Sequence, residues 1–170
     1  MGGWASLVVL ALAGFTALYP LSLAWLYVGA VAAFEAWLFG VVRSAGGPPP
    51  RAGEPPYQFS DAEARLVGRY PFYFRFPGIA RHASSVLAAT GLSSLVLSPW
   101  LAFRTAYAPA VVVALNLLVV AWLTRRVVPQ MALTLAANRG NREARDLLDA
   151  HETAWEKIRR CNIEAKEPAP

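Results

Sequence analysis

Two long apolar runs, separated by a polar and proline-rich stretch, dominate the chain. The first extends from Trp4 to Val42 and holds one charged residue, Glu35; the second extends from Ala83 to Leu123 and also holds one, Arg104. As a single helix each run would be about 60 Å long, twice the ~30 Å hydrocarbon thickness of a bilayer. Each is therefore read as a hairpin. Tyr19-Pro20-Leu21-Ser22 breaks the first, since proline ends a helix and serine caps the next. Arg104 to Pro109 breaks the second, with Pro109 suited to a first helical turn. The pattern predicts an all-α integral membrane protein with four transmembrane helices, at 3–18, 22–42, 83–103 and 109–125.

The polar segments carry their own signals. Residues 44–82 form a loop that opens with Pro48-Pro49-Pro50 and continues through Pro55-Pro56, the composition of a polyproline linker. Ser60-Asp61-Ala62-Glu63 then matches a capping box, so a short helix is expected to run to about Tyr70 before Pro71. In the tail, 129–170, Pro129 restarts a helix and Gly140 ends it. Asn141 caps a second helix of about 142–160, whose Leu147, Leu148, His151, Trp155 and Ile158 fall on one face. A lone amphipathic helix is marginal in water, so that stripe must be covered. The central loop, a second copy and a partner protein are the candidates. A partner is the expected occupant, with Trp155 as its anchor.

Charge orients this threading. The net charge of +5 comes mostly from arginine, and only 16% of residues are charged, against about 25% in a soluble domain. Arg43, Arg51, Arg65, Arg69, Arg75 and Arg81 lie between the apolar runs, and Arg125 and Arg126 close the second. By the positive-inside rule the central loop and both termini are expected to be cytoplasmic. The same rule accounts for the basic charge without nucleic acid. Arginine bias suggests a GC-rich bacterial genome and an inner-membrane location.

The stretch "RYPFYFRFPGIARH" concentrates rings beside arginines. Tyr70, Phe72, Tyr73, Phe74 and Phe76 are expected at the headgroup level of the bilayer. Arg69, Arg75 and Arg81 can meet lipid phosphates there. The segment reads as an interfacial lipid anchor, with a specific lipid or protein site as the alternative.

Little else carries chemistry. The sequence has no Gly-rich phosphate loop, no HExxH and no GxSxG, and its one cysteine and two histidines form no metal or haem pattern. No cofactor or metal is expected. Glu35 is the exception, because an intramembrane carboxylate is costly, by ~2.5–3.5 kcal/mol on insertion scales, and marks a functional site by default. Counting helical rise from the flanking Arg43, His82 and Arg125 puts Glu35, Thr90 and Asn116 in one layer. That layer reads first as hydrogen-bonded glue between helices, and second as a proton- or ion-handling site. The small residues of "ASSVLAATGLSS" make the third span the candidate central or partner-contacting helix. The function these features suggest is a non-catalytic accessory or assembly subunit of a larger membrane complex. The alternative is a small homo-oligomeric transporter or channel using Glu35.

Overall fold

The computed structural model describes residues 3–47 and 50–164. Their regular structure is helical throughout: α1 (Gly3–Leu18), α2 (Pro20–Ser44), α3 (Asp61–Arg69), α4 (Pro71–Arg75), α5 (Pro77–Phe103), α6 (Tyr107–Val127), α7 (Pro129–Asn138) and α8 (Arg142–Glu164). The chain divides into two compact units. One comprises Met1–Arg43 and Pro77–Val127, the other Ser44–Phe76 and Val128–Pro170. Each is thus assembled from two separate stretches of sequence.

The first unit is built for lipid. Three of its helices, over Ser22–Ser44, Pro77–Phe103 and Tyr107–Val127, are long and apolar enough to cross a membrane. The expected first span is shorter: α1 has 16 residues, about 24 Å of helix. The surface of the unit is apolar, with Phe103 77%, Trp4 75% and Leu118 69% exposed. Large side chains displayed this way are stable only against hydrocarbon. Its interior mixes apolar packing around Ala13, Val31, Leu97, Leu101 and Val113 with buried hydroxyls at Thr16, Tyr27, Ser93 and Ser94.

α5 is the central helix of this unit. It packs along both α1 and α6. Its small residues permit this: a Cβ added at Gly91 would lie 3.4 Å from Val120 of α6. Near the end of α1, the Trp100 indole N–H donates to the Ala17 carbonyl at 2.9 Å. That satisfies one of the acceptors a helix end leaves open. α5 also starts earlier than expected, because Pro77 serves as a first helical residue and not as a break. Residues 77–82, read from sequence as loop, are its first turns.

The second unit is organised around the amphipathic helices α3 and α8. The capping box forms as predicted: the Glu63 N–H donates to Ser60 Oγ at 3.4 Å, and the Ser60 N–H donates to Glu63 Oε2 at 2.6 Å. Gly140 adopts φ +88°, the left-handed conformation that glycine supplies at a helix C-terminus. Asn141 Oδ1 then accepts from the Ala144 N–H at 3.2 Å and opens α8. α8 packs against both α3 and α7. Phe59, Leu66, Tyr70, Phe74, Leu133, Leu147, Ala154 and Ile158 form the core.

This core bears on two expectations. The apolar stripe of α8 packs against the central loop and α7 of the same chain. Leu147 is 1% and Ile158 8% exposed, while Leu148 and Trp155 pack at the edge of the same cluster. The aromatic segment is likewise drawn inward. Tyr70, Phe72 and Phe74 are buried, and Tyr73 meets Trp155 edge-on at 5.6 Å between ring centroids. Tyr70, Tyr73 and Phe74 share one cluster with the apolar face of α8, which gives these rings a dry surface. The arginines remain exposed, with Arg69 3.9 Å from Glu143 and Arg75 over the Phe76 ring. Arg81 lies in the opening turns of α5.

Candidate functional site

Glu35 is buried in the middle of α2, and the structure brings it to Asn116 of α6. The carboxamide and the carboxylate face each other edge to edge. With the amide N–H₂ turned toward the carboxylate, it donates to Oε2 at 2.7 Å and to Oε1 at 2.9 Å. The other edge of the amide lies 3.4 Å from Ser94 Oγ of α5. From there the network continues to α2. The Tyr27 hydroxyl is 3.3 Å from Ser94 Oγ and 2.7 Å from Ser93 Oγ. Ser93 in turn donates to the Ala89 carbonyl one turn back, at 2.8 Å. Contacts at hydrogen-bond distance therefore run from Glu35 through Asn116, Ser94 and Tyr27 to Ser93, across α2, α5 and α6.

The Asn116 amide suits either charge state of Glu35. An ionised carboxylate takes the N–H₂ edge. A protonated one can donate its O–H to the amide oxygen, while the N–H₂ turns to Ser94. Rotation of one carboxamide by half a turn thus exchanges the two arrangements and reverses the donor direction between Asn116 and its two neighbours. No helix need move.

Two of the three residues expected in this layer meet, and Thr90 does not. It is fully buried, but its hydroxyl has no hydrogen-bond partner among the described residues. Its place is taken by Ser94, one turn further along α5. Counting rise from flanking charges ignores helix tilt, which moves the point of contact along the helix. Tyr27 was missed altogether. A tyrosine within an apolar run reads as a packing or interfacial residue, and only its distance to Ser93 reveals the role.

The network borders a cleft between α2 and α6. One recess, of about 520 Å³, is lined by Glu35 together with Ala32, Ala36, Phe39, Val119 and Trp122. An adjoining one, of about 220 Å³, is reached by Tyr27 and Asn116 and shares Ala32 and Val119. Phe39 and Trp122 bridge the helices at one end, with ring centroids 5.6 Å apart. The walls are apolar, and the polar groups lie on the floor. Phe39, Val119 and Trp122 are each more than 40% exposed, so the cleft opens sideways, toward lipid.

The second unit holds a different polar centre. Lys157 Nζ donates to Glu63 Oε2 at 2.6 Å and to the Gln58 carbonyl at 3.2 Å. Burial pushes the Glu63 carboxyl up, but hydrogen bonds from Lys157, the Ser60 N–H and Thr153, with the Lys157 charge, bring it down to about 2. His151 is buried among Tyr73, Phe74 and Trp155. Its Nδ1 is 3.3 Å from Gln130 Nε2, while Nε2 has no hydrogen-bond partner among the described residues. Burial holds its pKa below the usual histidine value, with Glu152 opposing in part. These groups organise a core. Among the described residues, no three His, Cys, Asp or Glu side chains come together to hold a metal ion. Comparison with protein-family models, curated proteins and solved structures finds no match to this chain.

Proposed function

We propose that the protein is a non-catalytic accessory or assembly subunit of a larger membrane complex, and that its contact surface lies within the bilayer. One observation carries the reading: the buried carboxylate of Glu35, held by Asn116, borders a cleft that opens sideways between α2 and α6. The tail has already spent its apolar stripe on the central loop, which leaves the membrane-embedded cleft as the conspicuous unfilled surface.

The proposed topology has four crossings. α1 supplies the fourth as a short apolar span, its mismatch of a few ångströms met by local thinning of the bilayer. Pairing of α3 with α8 supports a common side for the central loop and the tail. The arginines flanking the spans support assigning that side, with both termini, to the cytoplasm. Arginine bias supports a bacterial inner membrane.

A second reading is a small homo-oligomeric transporter or channel, favoured by the run of contacts from Tyr27 to Glu35. Purification of the native protein in mild detergent, with identification of what co-migrates in fixed ratio, tests the choice. Foreign subunits in stoichiometric amount support the first reading. A pure homo-oligomer that moves protons or ions in vesicles, and stops when Glu35 becomes Gln, overturns it.

A further inference from the structure

We infer that the α2/α6 cleft receives a transmembrane helix of another protein, and that this helix carries a lysine or arginine at the depth of Glu35. The inference rests on the accessory-subunit reading and names the chemistry of its partner.

Charge complementarity is the first argument. Asn116 hydrogen-bonds the carboxylate but brings no charge to it. A carboxylate has about four acceptor positions, and the amide N–H₂ occupies two. In hydrocarbon such a carboxyl either takes a proton or is paired with a cation, and a basic side chain in the cleft would hold it ionised. Among the described residues, the crossing helices place none at this depth. The basic residues of the crossing helices, Arg43, Arg81, Arg125 and Arg126, cluster at their ends, and Arg104 lies between α5 and α6. A second copy would bring the same deficit, so the complement must come from a different molecule.

Shape is the second argument. Along the α2 wall the residues at four-residue spacing are small: Ala32, Ala36 and then Gly40, where an added Cβ would meet nothing within 4 Å. Such a row lets another helix backbone approach closely in lipid. The α6 wall is bulkier, with Val112, Val119 and Trp122. From Tyr27 to Phe39 the cleft follows α2 for about 18 Å, a little over three helical turns. That is the contact length of two crossing helices. A lipid acyl chain would fill the apolar volume but would leave the carboxylate without its counter-charge.

The test uses the full-length protein in phosphatidylcholine vesicles with synthetic leucine-rich transmembrane peptides of about 20 residues. One peptide carries lysine at its centre and its control carries leucine. Association is read by energy transfer from the protein's tryptophans to a dansyl group on the peptide. The lysine peptide is expected to associate ~10-fold more tightly than the leucine peptide, the ratio for an intramembrane polar contact of ordinary strength. Glu35→Gln should erase the preference. Ala36→Trp should block association, because it fills the cleft. Equal association of both peptides with the wild type, or a preference that survives Glu35→Gln, overturns the inference. So does exclusion of the lysine peptide together with Glu35-dependent binding of a long-chain alkylammonium, which would make the occupant a lipid-like cation. None of these outcomes depends on what co-migrates with the native protein, so failure here and failure of the accessory-subunit reading are separate results.

Discussion

Lys157 of α8 lies 2.6 Å from Glu63 of α3, across 94 positions of sequence. The α6 span and the α5 span both intervene. Segments that meet in one core must share one side of the membrane. A topology reporter inserted near Gly53 and one fused at the C-terminus should therefore give the same answer, and one inserted near Thr105 the opposite answer. Disagreement between the first two would break the pairing of α3 with α8.

The same ion pair sets an acid limit. The folded-state pKa of Glu63, about 2, lies below its ordinary value of 4.5. Its contribution is thus complete above about pH 4.5 and is lost as pH falls toward 2. His151 acts in the same direction at higher pH, since a buried neutral imidazole with a lowered pKa favours unfolding once the pH falls below 6.5. Glu63→Gln should cost roughly 1.5–3 kcal/mol at neutral pH, the worth of a charge-assisted hydrogen bond. It should also flatten the lower part of the profile. His151→Gln should flatten the part just below pH 6.5. Hydrogen-exchange protection of residues 142–164, corrected for intrinsic rate, measures both.

Truncations in the α8 face separate the two units. Leu147→Ala removes a side chain that is 1% exposed and should cost about 2–5 kcal/mol; Trp155→Ala, which strips a ring from Tyr73 and Phe74, should cost about 3–5 kcal/mol if the site fails to collapse. Both should lower protection in α3 and α8 while leaving insertion of α2, α5 and α6 intact. Unchanged protection of α3 in the Leu147 variant would mean that the central loop does not rely on the tail.

Within the membrane, each polar contact is worth ~0.6–1.7 kcal/mol. Tyr27→Phe removes two of them and should lower resistance to SDS unfolding by roughly 1–3 kcal/mol. Glu35→Gln keeps a partner for Asn116 and should cost less than Glu35→Leu, which leaves the amide with Ser94 alone. If Glu35→Gln and Glu35→Leu are equally destabilised, Asn116 is not the partner that matters.

The legible parts of the fold were local or periodic. Ser60 with Glu63, Gly140 and Asn141 each announce a helix end within four residues, and lipid-facing runs announce themselves by length. Counting helical rise from the flanking residues put Glu35 and Asn116 at one depth, but the count does not say which helix faces meet. What the chain did not disclose is pairing at long range. No pattern marks α3 as the cover for α8, because both present an ordinary amphipathic stripe that any apolar surface would satisfy. The rings at 70–76 suffered the same ambiguity: a headgroup layer and a protein core both favour aromatics beside arginine. Depth alone could not choose Ser94 over Thr90, since they lie on one face of α5 a single turn apart.

The two-segment build of the second unit also has a consequence for biosynthesis. α3 leaves the ribosome long before its cover. At about 5–20 residues per second, the 94 positions between Glu63 and Lys157 take about 5–20 s to translate. Throughout that interval Leu66, Tyr70 and Phe74 have no α8 to bury them, while α5 and α6 are being inserted. A nascent chain is thus sticky on its central loop until the last helix arrives. A chain released before α8 would keep that surface bare, a ready mark by which a chaperone or protease can tell an unfinished copy from a complete one.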